Sequence, residues 1–390
     1  MFSRRTNWKL TPNKYTLALQ EIRSSGEPLI DLTISNPTEC ALAYDSKAIL
    51  NAFQNANALH YEPEAKGLLN ARQEVVRYYR DEHNVTVDPN AVILTTSTSE
   101  AYSYIFRLLC NPQEEVLVPK PSYPLFDFLG DLQDVRLIPY SLHYAQGWFI
   151  DFELLKRALT SKTRAILLVH PNNPTGSYVK PEEVQRLNAF CLENELALIV
   201  DEVFLDYSLE NRPRISFVGN HDALTFTLSG LSKTAALPQM KVAWMVTTGP
   251  TNQTQAALER LEVIADTYLS LGSPAQCAFP QLLVQRKTLQ PQLLNRIRNN
   301  WACLKSSLRD IRECEPLDVE GGWYAVLRIN RKVSDEDLSI ELMRQAGVIV
   351  HPGHFYDFPN DGYLVVSLIS QEQDFRNGID KLLKHLASAK

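Results

Sequence analysis

Short apolar runs alternate with longer stretches of helical periodicity through the middle of this chain. The runs cover residues 92–94, 116–118, 135–138, 165–169, 197–200, 224–228 and 242–246. They are β-branched or leucine-rich and end in turn formers. That is the pattern of strands buried on both faces of a largely parallel sheet joined by crossover helices. Residues 182–193 predict one such helix, with Val184, Leu187 and Cys191 recurring on one face. Past about residue 280 the pattern changes. A long helical stretch over 291–309 leads to strand candidates at 322–329, near Val348 and at 363–368, with a helix around 335–345. Residues 1–45 carry few strand or helix signals and are expected to pack against this second unit. The pattern predicts an α/β protein in two parts. Residues 46–285 form a large domain on a mostly parallel sheet, and residues 1–45 with 286–390 form a small α+β domain. A chain of 390 residues is too long for one core, which agrees with the split.

Composition narrows the function classes. The chain is 45% hydrophobic and 22% charged, as in ordinary globular proteins. A net charge of −6 gives no electrostatic pull toward nucleic acid or an anionic membrane. No apolar run is long enough to span a bilayer. The first residues, Met1-Phe2-Ser3-Arg4-Arg5, are followed by polar positions and lack the apolar centre of a secretory signal. The six cysteines are scattered without a C-x-x-C pair, as expected for reduced thiols in a cytoplasmic protein. No metal is expected: His351 and His354 are separated by Pro352-Gly353, which breaks any helix between them.

In an α/β sheet the chemistry gathers just past the strand ends. Four runs here end in unusual polar sequence. One enters Asn172-Asn173-Pro174-Thr175-Gly176, another Asp201-Glu202-Val203-Phe204, a third Ser229-Gly230-Leu231-Ser232-Lys233-Thr234, and a fourth Thr95-Thr96-Ser97-Thr98-Ser99. The ordered set N-N-P-T-G, D-E-V-F and S-K resembles the class I/II aminotransferases, the aspartate-aminotransferase-like enzymes of pyridoxal 5'-phosphate (PLP) fold type I. The resemblance spans about residues 30–370.

It implies a transaminase that moves an amino group from an amino acid or amine to a keto acceptor. A PLP-dependent lyase or decarboxylase on the same fold is the alternative. Lys233 is implied to carry the cofactor as a Schiff base, which needs an amine able to lose its charge near neutral pH. Lys241 is expected as its cationic neighbour. Asp201 is implied to keep the pyridine nitrogen protonated, so that the ring can act as an electron sink. Asn173 is implied to bond the cofactor's phenolic oxygen, and Tyr123, in Pro121-Ser122-Tyr123-Pro124, to stack on its ring. Ser97, Thr98 and Ser99 form a polar strand-to-helix turn suited to a phosphate. Ser232 and Lys241 are further phosphate candidates. Tyr61 lies in a segment similar to the family's Y-x-P-x-x-G, with one residue more before Gly67. By resemblance it reaches the phosphate of a partner subunit, which implies a homodimer with shared active sites.

The departures from the family bear on the substrate. Lys241 stands where the family has arginine, keeping the charge but losing the planar fork. Gly230 stands for a phosphate-binding serine, with Ser229 and Ser232 nearby. Phe204 replaces a tyrosine that bonds the cofactor's phenolate. Val365, in Tyr363-Leu364-Val365-Val366-Ser367, stands where an arginine clamps the substrate carboxylate, and no Lys or Arg occurs between Arg344 and Arg376. Either the substrate lacks an α-carboxylate or another group holds it. Arg328 is one candidate. Val365, Trp323 and Tyr324 favour a substrate with a sizeable apolar part.

Overall fold

The computed structural model describes residues 1–209 and 215–388. Eight strands form one sheet in the order Val92–Thr95, Ala243–Thr248, Thr225–Gly230, Ala197–Asp201, Thr163–Val169, Glu115–Lys120, Arg136–Tyr144, Trp148–Ile150. Ala243–Thr248 is antiparallel to both its neighbours, and Trp148–Ile150 returns antiparallel to Arg136–Tyr144. The remaining strands share one direction. The hairpin return was not legible in the sequence, because three residues are too few to show a period.

Side-chain alternation explains why these strands read as continuous apolar runs. Along Thr163–Val169, Ala165, Leu167 and Val169 pack on one layer, together with Ile105, Phe106 and Leu261. Ile166 and Leu168 pack on the other, with Leu155, Leu187 and Cys191. Helices Thr98–Leu109 and Thr251–Tyr268 cover the first face, and Pro181–Asn194 the second. Both faces are therefore covered, so Thr163–Val169 shows no polar alternation, and where polar residues do alternate, at Thr225, Thr227 and Ser229, they are buried too.

A second sheet, in the order Cys314–Pro316, Tyr324–Ile329, Tyr363–Ser367, His351–Pro352, is antiparallel throughout. The helix Arg286–Leu308 leads into it and starts before the predicted boundary, with Pro291 inside. The predicted helix near 335–345 is α-helical over Asp335–Glu341 and closes in a π-turn over Leu342–Ala346.

The N-terminal segment corrects the sequence reading. Lys14–Ser25 is a full helix: the Asn13 side chain accepts from the Thr16 amide at 2.8 Å, and Gly26 ends it at φ 74°. Tyr15, Ala18 and Ile22 form its buried stripe, packed with Met343 and Ile349. Three apolar contacts on twelve residues give a weak periodic signal, so the cap residues were the better guide. Ile30–Asp31 then pairs in parallel with Val348–Ile349, which carries the start of the chain onto the second unit as expected. No helix among the described residues is long and apolar enough to cross a membrane.

Two glycines are set by close approach. Gly176 adopts φ 71°, and a Cβ there would lie 2.5 Å from the Gly321 carbonyl oxygen. Gly230, the last strand residue before the Lys233 turn, faces Ala243: a Cβ there would lie 2.9 Å from the Ala243 Cβ. The absence of the family's serine at 230 thus follows from packing between adjacent strands. Gly230→Ser is expected to destabilise the protein by about 1–3 kcal/mol through overpacking, and Ala243→Gly to recover part of that loss in the double variant, since the Ala243 Cα and the Val242 carbonyl oxygen remain at 3.0 and 3.1 Å. Urea unfolding of the four proteins checks this, and additive losses would refute the steric account.

Candidate active site

The co-directional strands end along one edge of the large sheet, and the four polar motifs lie at that edge. Lys241 joins it from the N-terminal end of the antiparallel strand Ala243–Thr248.

Lys233 sits in the single helical turn Leu231–Thr234. Its Nζ lies 4.7 Å from the centre of the Trp323 ring and 5.8 Å from that of Phe204. The Tyr207 hydroxyl donates to the Lys233 carbonyl at 2.6 Å and fixes the turn. Burial pushes the ammonium pKa down to about 8, while Asp201 and Cys40 pull it back up. The expected cationic neighbour is not the cause. Lys241 is exposed, in the left-handed region at φ 51°. Desolvation alone loosens the proton.

Asp201 closes its strand and is buried. One carboxylate oxygen accepts from the Val203 amide at 3.0 Å, the other from the Tyr102 hydroxyl at 3.0 Å. Burial pushes its pKa up to about 6, against the pull of those two bonds and of Lys233. Glu202 accepts instead from Ser216 Oγ at 2.7 Å and the Phe217 amide at 2.6 Å, and burial pushes it up to about 8. It is engaged with the 216–217 turn, so Asp201 alone faces Lys233.

In the N-N-P-T-G turn the two asparagines divide the work. Asn172 Oδ1 accepts from both the amide and the hydroxyl of Thr175. Asn173 is buried, and its amide oxygen has no partner. A buried amide left unpaired is costly. Tyr123 is 38% exposed, edge-on to Phe126, and the nearby Asp201 charge adds to the burial that raises its pKa. Ser97 caps the helix Thr98–Leu109, accepting from the Glu100 amide. Thr98 is half-buried and Ser99 exposed beside it. Ser232 is half-buried next to Lys233, whereas the Ser229 hydroxyl is spent on Thr234 at 3.3 Å.

Tyr61 stands apart. It is 73% exposed and lines a separate pocket with Leu94, Tyr104, Ser270 and Gln276. Val365 is buried, paired across the small sheet with Val326 and His351. Arg328 cannot replace the missing clamp: it forms an exposed ion pair with Glu315 at 2.5 Å.

Sequence reasoning missed Tyr102, Tyr207, Ser35 and Tyr356. Tyr102 and Tyr207 reach Asp201 and Lys233 only through tertiary contact. Ser35 bonds the Tyr324 hydroxyl, and Tyr356 lies 6.5 Å from the Tyr324 ring. No local motif announces any of them.

Residues 27–382 match the family described as aminotransferase class I and II. Over 386 residues the chain is 26% identical to the glutamate-pyruvate aminotransferase AlaA of Haemophilus influenzae, covering 96% of this chain and 94% of the relative. It is 24% identical to the alanine aminotransferase of Mycobacterium bovis over 94% of this chain and 87% of that one. Among solved structures, an alanine aminotransferase from Pyrococcus furiosus superposes with a TM-score of 0.90 at 21% identity, covering 100% of both chains. A Thermus thermophilus aspartate aminotransferase gives 0.84 at 20% identity, covering 98% of this chain and 99% of that one.

The desolvated lysine has a measurable cost. Its folded pKa lies below the unfolded value of 10.5, so the charged form is penalised fully below about pH 8 and the penalty vanishes as pH rises through the unfolded pKa. Lys233→Met is therefore expected to stabilise the cofactor-free protein at pH 7 by about 1–3 kcal/mol, with the gain fading toward pH 10. Denaturant unfolding across that range checks it. A gain independent of pH would contradict the assignment.

Proposed function

Because this chain belongs to the class I and II aminotransferases, which use pyridoxal phosphate, we propose that Lys233, Asp201 and Asn173 form the centre of its catalytic site. The observation that carries this is the convergence of three unmet needs at one sheet edge. They are an amine that loses its proton easily, a buried carboxylate with a raised pKa, and a buried amide without a partner. A cofactor with an aldehyde, a ring nitrogen and a phenolic oxygen answers all three.

The enzyme moves an amino group from a donor to a keto acceptor. When bound, PLP supplies an electron sink for negative charge developing at the substrate carbon. Lys233 would hold the cofactor and, as a free amine, would take and return a proton at the substrate carbon; a pKa near neutrality suits it to act as both base and acid. Asp201 keeps a proton on the ring nitrogen, and Tyr102 and Val203 hold its carboxylate in place. With its terminal amide turned so that the nitrogen takes the place of the unpaired oxygen, Asn173 would donate to the phenolic oxygen, and Tyr123 would cover the ring. The amides and hydroxyls at Ser97, Thr98 and Ser99, with Ser232 and Lys241, take the phosphate. Phe204 presents only ring carbon where a hydroxyl would stabilise the phenolate.

Residues 46–285 act as the cofactor-binding domain and residues 1–45 with 286–390 as the small domain, with the cleft between them. The exposed ring of Tyr61 is free to reach a partner subunit's site, which supports a homodimer as the working unit. The aromatic and aliphatic lining by Trp323, Tyr324 and Val365 suits a donor with an apolar part.

Three outcomes test this reading. The purified holoenzyme is yellow, and adding an amino donor changes its absorbance with release of a keto product. Stoichiometric ammonia or carbon dioxide would instead mark a lyase or decarboxylase. Phe204→Tyr lowers the pH at which the bound chromophore changes colour, and an unmoved midpoint would refute the role given to Phe204. Light scattering returns twice the chain mass, whereas a monomer would refute the shared site.

A further inference from the structure

The small sheet turns one face to the cleft, and its register says what stands where the arginine is missing. Val365 lies directly opposite both Val326 and His351, and Tyr324 opposite Ser367. Directly opposed residues share a face, so Tyr324, Val326, Val365, Ser367 and His351 line one side, with Tyr363 and Arg328 at its far end and the Arg328 guanidinium paired with Glu315. Ala325, Leu327, Leu364 and Val366 line the other. On the first side Tyr363 stacks on Phe358 at 4.4 Å, and Phe358 meets Trp148 of the large sheet. This is therefore the face turned toward the large sheet.

On it His351 stands directly beside Val365, and its Nδ1 lies 3.0 Å from the Tyr356 hydroxyl. Tyr356 is tied to the cleft through its backbone: its carbonyl accepts from the Ser122 amide at 2.9 Å, one residue from Tyr123. Ser122 is 2% exposed, and its hydroxyl has no partner. Burial holds His351 neutral, its pKa pushed down to about 4 with Asp31 pulling it up. Asp31 is itself engaged by Thr33 at 2.6 Å and by Arg23. The pair thus offers a neutral hydroxyl, where the family's arginine offers a cation. With Nδ1 donating to the phenol oxygen, the phenol hydrogen is free for another acceptor.

We propose that Tyr356, oriented by His351, binds the acid group of the amino donor in place of an arginine at position 365. Tyr356 is the contacting group and His351 its positioning residue. The proposal rests on the transaminase reading and extends it to substrate recognition. A hydroxyl discriminates less sharply than a guanidinium fork, so donors without a carboxylate are disfavoured only modestly.

The test is equilibrium binding to the holoenzyme, by calorimetry, of acids paired with their primary amides: 3-phenylpropanoate with 3-phenylpropanamide, and butanoate with butanamide. The wild type is expected to favour the acids. Tyr356→Phe is expected to lower the acid-to-amide affinity ratio about tenfold, the scale of one hydrogen bond to a charged group. His351→Phe keeps the phenol but removes its partner, and is expected to lower the same ratio. Equal affinity of the wild type for acids and amides overturns the proposal. So does a ratio unchanged in both variants, since a merely damaged site weakens both ligands alike. Conversion of the chromophore by amino donors scores the transaminase reading separately from these affinities.

Discussion

Desolvation of Lys233 is the constraint on which the rest of the site depends. An ammonium group next to two aromatic rings loses water that no nearby charge fully replaces. The fold tolerates this because Asp201, also buried, lies within electrostatic reach and gives the ammonium a counter-charge. Neither group is comfortable alone: the lysine leans toward neutrality and the carboxylate toward protonation. Such mutual frustration is stable only when both partners are held rigidly. The holding is done by hydroxyls, Tyr207 on the lysine's carbonyl and Tyr102 on the carboxylate.

That rigidity explains the layered sheet beneath. Helices cover both faces, so the strands that carry Asp201 and the Lys233 turn cannot shift without breaking a dry core. The second unit is clamped to the same edge. Gly321 donates its amide to the Gly176 carbonyl at 2.9 Å, Lys120 pairs with Asp357, and the Gly322 amide donates to Tyr207 at 2.9 Å. Tyr207 thus bonds both the glycine pair before Trp323 and the lysine turn. The aromatic ring over Lys233 and the backbone under it are positioned by one residue.

The substitutions relative to the family read as a connected set in the structure. Gly230 is dictated by Ala243 on the next strand, and Ser229 is occupied by Thr234. Phe204 packs edge-on against Trp323 at 5.2 Å and helps to dry the lysine. Val365 belongs to an apolar patch beside which the polar contact passes to His351 and Tyr356.

The buried strands and the mostly parallel sense of the sheet were legible in the sequence, because burial on both faces makes the central runs largely apolar. The arrival of Asp201, Asn173 and Lys233 at the strand ends was legible too, because each follows a strand in an unusual short motif. The helix Lys14–Ser25 and the strand Trp148–Ile150 were not, since a narrow buried stripe and a three-residue strand carry too few apolar positions to show a period. The source of the lysine's lowered pKa was also hidden. The sequence suggested Lys241, which turned out to be exposed, and burial does the work. Sequence alone determined which groups arrive at the sheet edge, because local pattern fixes the order of strands and turns. Only the tertiary structure decided who meets whom there: Tyr102 with Asp201, Tyr207 with Lys233, His351 with Tyr356. The first two pairs are far apart in sequence and the third closes across the turn Gly353–Tyr356, and a hydrogen bond depends on distance and direction that no run of residues encodes by itself.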